Sequence, residues 1–240
     1  MVKPLSLAAA LALLGGSAAA QGLPAELSEA GLSDVTLALL AGITLLSLVP
    51  GLAVTVTCFP FVVTVLSILR QAIGLQQAPP NMLIVTLALF LTWFVMDPVL
   101  TAAWEAAVVP YRSGEATLEQ AILGAIAPFR EFMASRTDPG TLERLLALRD
   151  EAPAPGSEVA LSVLTPAFLL SELARAFQIG FLIFLPFLVI DLVVAAILMS
   201  MGMMMVPPAL VALPFKLAFF ALADGWTLIS EALVRGYAPL

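Results

Sequence analysis

From Val35 to Leu69 the chain carries no charged residue, and a second charge-free run extends from Ala176 to Ile190. A hydrocarbon core takes about 20 apolar residues of helix, so the first run is too long for one ordinary span. Pro50-Gly51 and Pro60 interrupt it, which predicts one kinked or broken helix or two shorter ones. A further apolar helix is expected from Asn81 to about Val99. Pro98 disfavours α conformation at Asp97, which places that acid at a helix end near the interface. The second charge-free run meets Asp191, continues apolar to Met199, and is stopped by Pro207-Pro208. A last apolar helix follows from about Ala209 to Leu228, with Lys216 and Asp224 embedded in it. Met203, Met204 and Met205 sit at the turn of the resulting hairpin.

Between the two hairpins the pattern changes. Residues 104–158 carry most of the charge, with both signs mixed, and Phe129, Phe132, Leu142, Leu145 and Leu146 give amphipathic pieces. The Asp138-Pro139-Gly140 turn leads into the clearest of these, and Ala152-Pro153-Ala154-Pro155-Gly156 reads as a linker. Ser33 or Asp34 is a candidate cap for the first apolar helix. At the front, Lys3, the apolar Leu5 to Leu14 and Ala18-Ala19-Ala20 form the three parts of a secretory signal peptide, cleaved before Gln21. Its apolar core is too short to span. The expected divisions are therefore residues 1–20 (signal peptide), 21–103 (lead and first hairpin), 104–165 (charged external region) and 166–240 (second hairpin). That signal puts the start outside, the turn near Arg70 inside, the charged region outside and the methionine tip inside.

Composition fixes the class. The 240 residues are 61% hydrophobic and 11% charged, against roughly 45–50% and about 25% in soluble domains. The expected fold is all-α, an integral membrane protein with four main apolar helical segments in two hairpins and a small external helical region. The net charge of −7 offers no basic patch for nucleic acid. There is no histidine, which excludes histidine acid–base chemistry and histidine metal sites. The lone Cys58 lies in an apolar run and reads as a small buried hydrophobe. No cofactor and no catalytic residue is expected.

Ionisable residues within apolar helices are expensive, at about 2.5–3.5 kcal/mol each on insertion scales. Asp191, Lys216 and Asp224 should therefore face protein or water. Mutual pairing is the favoured reading; a proton or ion relay, as in an ion-coupled transporter, is the competing one. The two hairpins show no clear inverted repeat, which weighs against a transporter. Glu172 and Arg175 share a helix face, as a surface ion pair or as a contact to a neighbouring subunit. Methionine is unbranched and polarizable, so clustered at a turn it could close around variable chains, and an apolar constriction blocks ions by dewetting.

The second hairpin resembles the FliP family of flagellar type III export-gate proteins, whose virulence-injectisome counterparts share the same core. The matching residues are Pro166-Ala167-Phe168, Ser171-Glu172-Leu173, Ala176-Phe177-Gln178-Ile179-Gly180, Ile190-Asp191, Gly202 to Pro208, Leu213-Pro214-Phe215-Lys216-Leu217 and Asp224-Gly225-Trp226. The likeness extends through Pro60-Phe61 and Arg70 to Gly74 up to Gln76 to Asn81. It implies a core subunit of the flagellar export gate in the bacterial inner membrane and basal body. That subunit would form a pentameric ring with FliQ-like and FliR-like partners and work with FlhB-like and FlhA-like export components. Unfolded flagellar proteins would be its cargo. It further implies Met203, Met204 and Met205 as the pore gasket, and Glu172, Arg175, Asp191, Lys216 and Asp224 as inter-subunit polar contacts. A virulence-injectisome gate subunit is the alternative system, against which the signal peptide weighs.

Overall fold

Among the described residues every regular element is a helix, and the longest exceed what a bilayer needs. The structure is a computed structural model describing residues 32–75, 78–149, 158–203 and 205–237. The signal peptide, most of the lead, Gln76, Gln77, the 152–156 linker and Met204 lie outside the described residues. By contacts the chain divides into residues 1–50 and 51–240. In the first unit the described residues form most of α1 (Leu32–Thr55), and their side chains up to residue 50 are exposed wherever they are described. Pro50-Gly51 does not interrupt this helix; the break comes at 56–58. Pro60 then stands in the first turn of α2 (Phe59–Ile73), where its missing N–H has no intrahelical partner to lose.

The second unit is built around α2. Phe61, Val62, Val65, Leu66, Leu69, Ala72 and Ile73 recur at helical spacing and are all buried. This helix packs chiefly on α6 (Leu161–Ser200), and also on α3 (Asn81–Ser113). At about 1.5 Å per residue, the 40 residues of α6 and the 33 of α3 reach about 60 and 50 Å, well past a hydrocarbon core of about 30 Å. One end of each therefore projects beyond a bilayer. The expected helix end at Asp97 is corrected: α3 runs on through Pro98 and Pro110, and Asp97 is an exposed mid-helix residue. The hydrogen bond forfeited at Pro98 is offset by packing beyond it. Ala103 and Ala107 are buried there, and α4 (Leu118–Arg136) lies so close that a Cβ on Gly124 would meet the Ala106 carbonyl oxygen at 2.5 Å.

The charged segment folds into two capped helices. Thr117 and Gln120 form a capping box at the start of α4, each side chain accepting from the other's backbone N–H at 3.3 and 2.9 Å. Asp138 caps α5 (Pro139–Ala147), its Oδ2 accepting from the Thr141 N–H at 2.8 Å. The Asp138 N–H in turn donates to Ser171 Oγ on α6 at 2.9 Å, fixing the α4–α5 corner to the long helix.

The hairpin after α6 turns through Gly202, at φ 74, with the Met203 N–H donating to the Leu198 carbonyl at 2.9 Å. The returning arm is two helices, not one. α7 (Pro208–Leu222) and α8 (Gly225–Arg235) are bent by 61°. Asp224 sits at the bend with φ 48, so it is not embedded in a helix as its apolar flanks suggest. The ring of Phe220 occupies the space where a Gly225 side chain would stand, so the tight corner requires a glycine there. Among the described residues two helices, α3 and α6, are long and apolar enough to cross a membrane, and the bent α7–α8 pair qualifies as a third span if taken together.

Candidate functional site

Three features carry the candidate chemistry: a buried carboxylate, an ion pair between helices, and the methionine tip.

Glu172 stands in the N-terminal half of α6 and is 0% exposed. Its Oε1 accepts from Arg136 Nε at 3.3 Å and from Arg175 Nη1 at 3.1 Å, while the Tyr237 hydroxyl donates to Oε2. A carboxylate out of water is tolerated only when paired and hydrogen-bonded, and here both oxygens are. Arg136, at the end of α4, also donates to the Gly236 carbonyl at 3.0 Å, and its guanidinium lies 4.1 Å from the Tyr237 ring centre. Burial above all, with the Glu172 charge second, raises the Tyr237 phenol above its ordinary range, so it keeps its proton and stays a donor. Sequence spacing pairs Glu172 with Arg175, and the structure does bring them together. Arg136 and Tyr237 had no sequence signal: one ends a charge-rich segment, the other follows the last apolar helix.

Lys216 on α7 and Asp191 on α6 form the second centre. Lys216 Nζ lies 2.6 Å from Asp191 Oδ2 and donates to the Ala72 carbonyl at 3.1 Å. Ala72 belongs to the last turn of α2, where unsatisfied carbonyls favour a cation. One lysine thus ties three helices. Its side chain is 7% exposed against 32% for Asp191, whose other oxygen, Oδ1, is buried without a described hydrogen-bond partner. Asp224 takes no part here; it is exposed and accepts from Thr227 Oγ1 at 3.2 Å.

At the tip, Met203 is 41% and Met205 98% exposed, with Met199 and Met201 also exposed. Beside them an apolar groove of about 490 Å³ runs between α6 and α7, lined by residues including Val193, Ile197, Met201, Met203 and Phe215. Among the described residues no cluster of acids and cysteine could hold a metal ion.

These geometries belong to a sequence with well-marked relatives. The FliP family profile matches residues 42–233, most of the chain. The chain belongs to the FliP family. It is similar to the flagellar biosynthetic protein FliP of Caulobacter vibrioides, at 47% identity over 87% of this chain and 79% of that protein. The proteins of the same name from Agrobacterium fabrum and Bacillus subtilis are 41% and 42% identical. The first covers 99% of this chain and 100% of its own length, the second 84% and 92%. The FliP match includes all three features except Gly236 and Tyr237. Together with the long apolar helices, it makes this chain a membrane-embedded component of the flagellar export apparatus. FliP is a structural component of that apparatus, in a family not known for catalysis.

Proposed function

We propose that this chain is a core subunit of the flagellar type III export gate in the inner membrane. Copies assemble into a ring with FliQ-like and FliR-like partners around a path for unfolded flagellar proteins, with FlhB-like and FlhA-like components alongside. The observation that carries this reading is the tip. Flexible apolar side chains stand exposed at a tight Gly202 turn, beside an apolar groove on the same hairpin. A large exposed apolar surface marks a contact site, and methionine suits a seal that must conform to different chains. Met203, Met204 and Met205 are the gasket residues.

The polar centres serve assembly. Glu172 and Lys216 anchor each protomer from within. Half-exposed Arg175, part-exposed Asp191 and exposed Asp224 are the groups with surface left for a neighbouring subunit. Lys216 held by both Asp191 and the Ala72 carbonyl favours structural pairing over an ion relay, because a relay needs a site that can release its proton or ion. Native mass spectrometry of the detergent-extracted protein, with and without the two partners, tests the assembly. A discrete ring that takes up both partners is expected; a stable monomer indifferent to them overturns the reading.

A further inference from the structure

We infer that Gly236–Tyr237, the segment following α8, is a latch that fastens the returning arm of the second hairpin to the external helices. The contacts converge from four elements. Tyr237 donates to Glu172 of α6, Arg136 of α4 donates to the Gly236 carbonyl and covers the Tyr237 ring, and α8 delivers both latch residues. The ring itself packs edge-on against Phe61 of α2 at 5.4 Å and stacks on Phe132 of α4 at 6.2 Å.

The latch has a catch and a cover. Glu172 is the catch: a carboxylate with no exposed surface, whose Oε2 has the phenol as its described partner. The aromatic pair with the Arg136 guanidinium is the cover that keeps water off it. With the segment undocked, Glu172 Oε2 is left buried and unsatisfied, so the adjoining packing must open to admit water. α8 is itself seated by Leu233, 3% exposed in the core, and by Trp226, edge-on to Phe220 of α7 at 5.4 Å, so the latch joins an anchored helix to α4 and α6. Docking of one short segment therefore couples the position of α8, at the far end of the hairpin from the methionine tip, to closure of the external region. The family match ends at residue 233, just short of the latch. The inference rests on these contacts alone and stands whether or not the protein forms a gate.

Limited trypsin digestion of the full-length protein in detergent tests it, comparing Tyr237→Ala and Tyr237→Phe with wild type. Tyr237→Ala is expected to speed cleavage at Arg130, Arg136 and Arg144 by about tenfold through local opening, while leaving cleavage at Arg70 unchanged. Tyr237→Phe, which keeps the ring and removes the donor, is expected to give a smaller rise at the same sites. Unchanged cleavage in Tyr237→Ala overturns the latch. An equal rise at Arg70 also overturns it, because Tyr237 would then be a general packing residue. A Tyr237→Phe protein identical to wild type removes Glu172 as the catch.

Discussion

Glu172 shows how burial reverses the usual weight of an ion pair. On an exposed helix face, Glu172 and Arg175 would contribute little, since solvent screens the charges and side-chain entropy opposes the contact. Inside, the carboxylate is surrounded by two guanidiniums and a phenol, and removing it strands positive charge. Arg136 and Arg175 keep 19% and 36% of their side-chain surface, so the loss stays below that of a fully buried pair. Glu172→Ala is expected to lower stability by about 2 kcal/mol in denaturant titrations of the detergent-solubilised protein. Lys216 is the sharper case, because Lys216→Met uncaps the Ala72 carbonyl and leaves Asp191 without its cation. A double-mutant cycle with Asp191→Asn is expected to give a coupling of about 1–3 kcal/mol, and additivity of the two changes would show that the pair is not coupled.

Helix contacts set the next level. α3 and α4 approach closely because position 124 has no side chain, and the obstacle a Cβ would meet is backbone, which cannot rotate away. Gly124→Ala is expected to cost about 1–3 kcal/mol and to loosen α4 from α3, read as faster hydrogen exchange in 118–136. The start of α5 responds to acid instead. The Thr141 backbone N–H, and then its hydroxyl, hold the Asp138 carboxyl below its ordinary value of 3.8. A carboxyl whose folded pKa is depressed contributes stability above its unfolded pKa and loses it as pH falls through the folded one. Asp138→Ala should thus fray α5 at neutral pH, and its difference from wild type should vanish only below the ordinary carboxylate range. Hydrogen exchange of Thr141 and Leu142 at the two pH values checks this.

At the scale of the whole molecule, much of the apolar surface of α3, α6 and α7 is left uncovered by the chain's own packing. Lipid can cover part of it, and neighbouring subunits another part. The tip is the place where the two differ in consequence. Replacing Met203, Met204 and Met205 with alanine is expected to raise ion leak through an assembled gate without preventing assembly. Ion flux in vesicles holding the verified complex measures it, and unchanged permeability would remove the gasket role.

The linear pattern determined the all-helical membrane class, the helix after the Asp138 turn and the Pro207-Pro208 break behind the methionine turn, because each rests on local chemistry: runs of apolar residues, proline placement and caps. It paired Glu172 with Arg175 because three residues on a helix are neighbours by geometry alone. Tertiary structure decided the rest. Packing made α2 the buried centre: its apolar stripe marks the face that is covered, and only the meeting of α3 and α6 on it shows what covers that face. α3 continues past Pro98 because contacts on α4 outweigh one lost hydrogen bond, and the returning arm bends at Asp224 where the Phe220 ring fills the space beside Gly225. Arg136 reaches Glu172 from 36 residues away, Tyr237 from 65, and Lys216 reaches Ala72 from 144. No local periodicity links such distant positions, and burial of a charge selects its partners only once the helices that carry them have met.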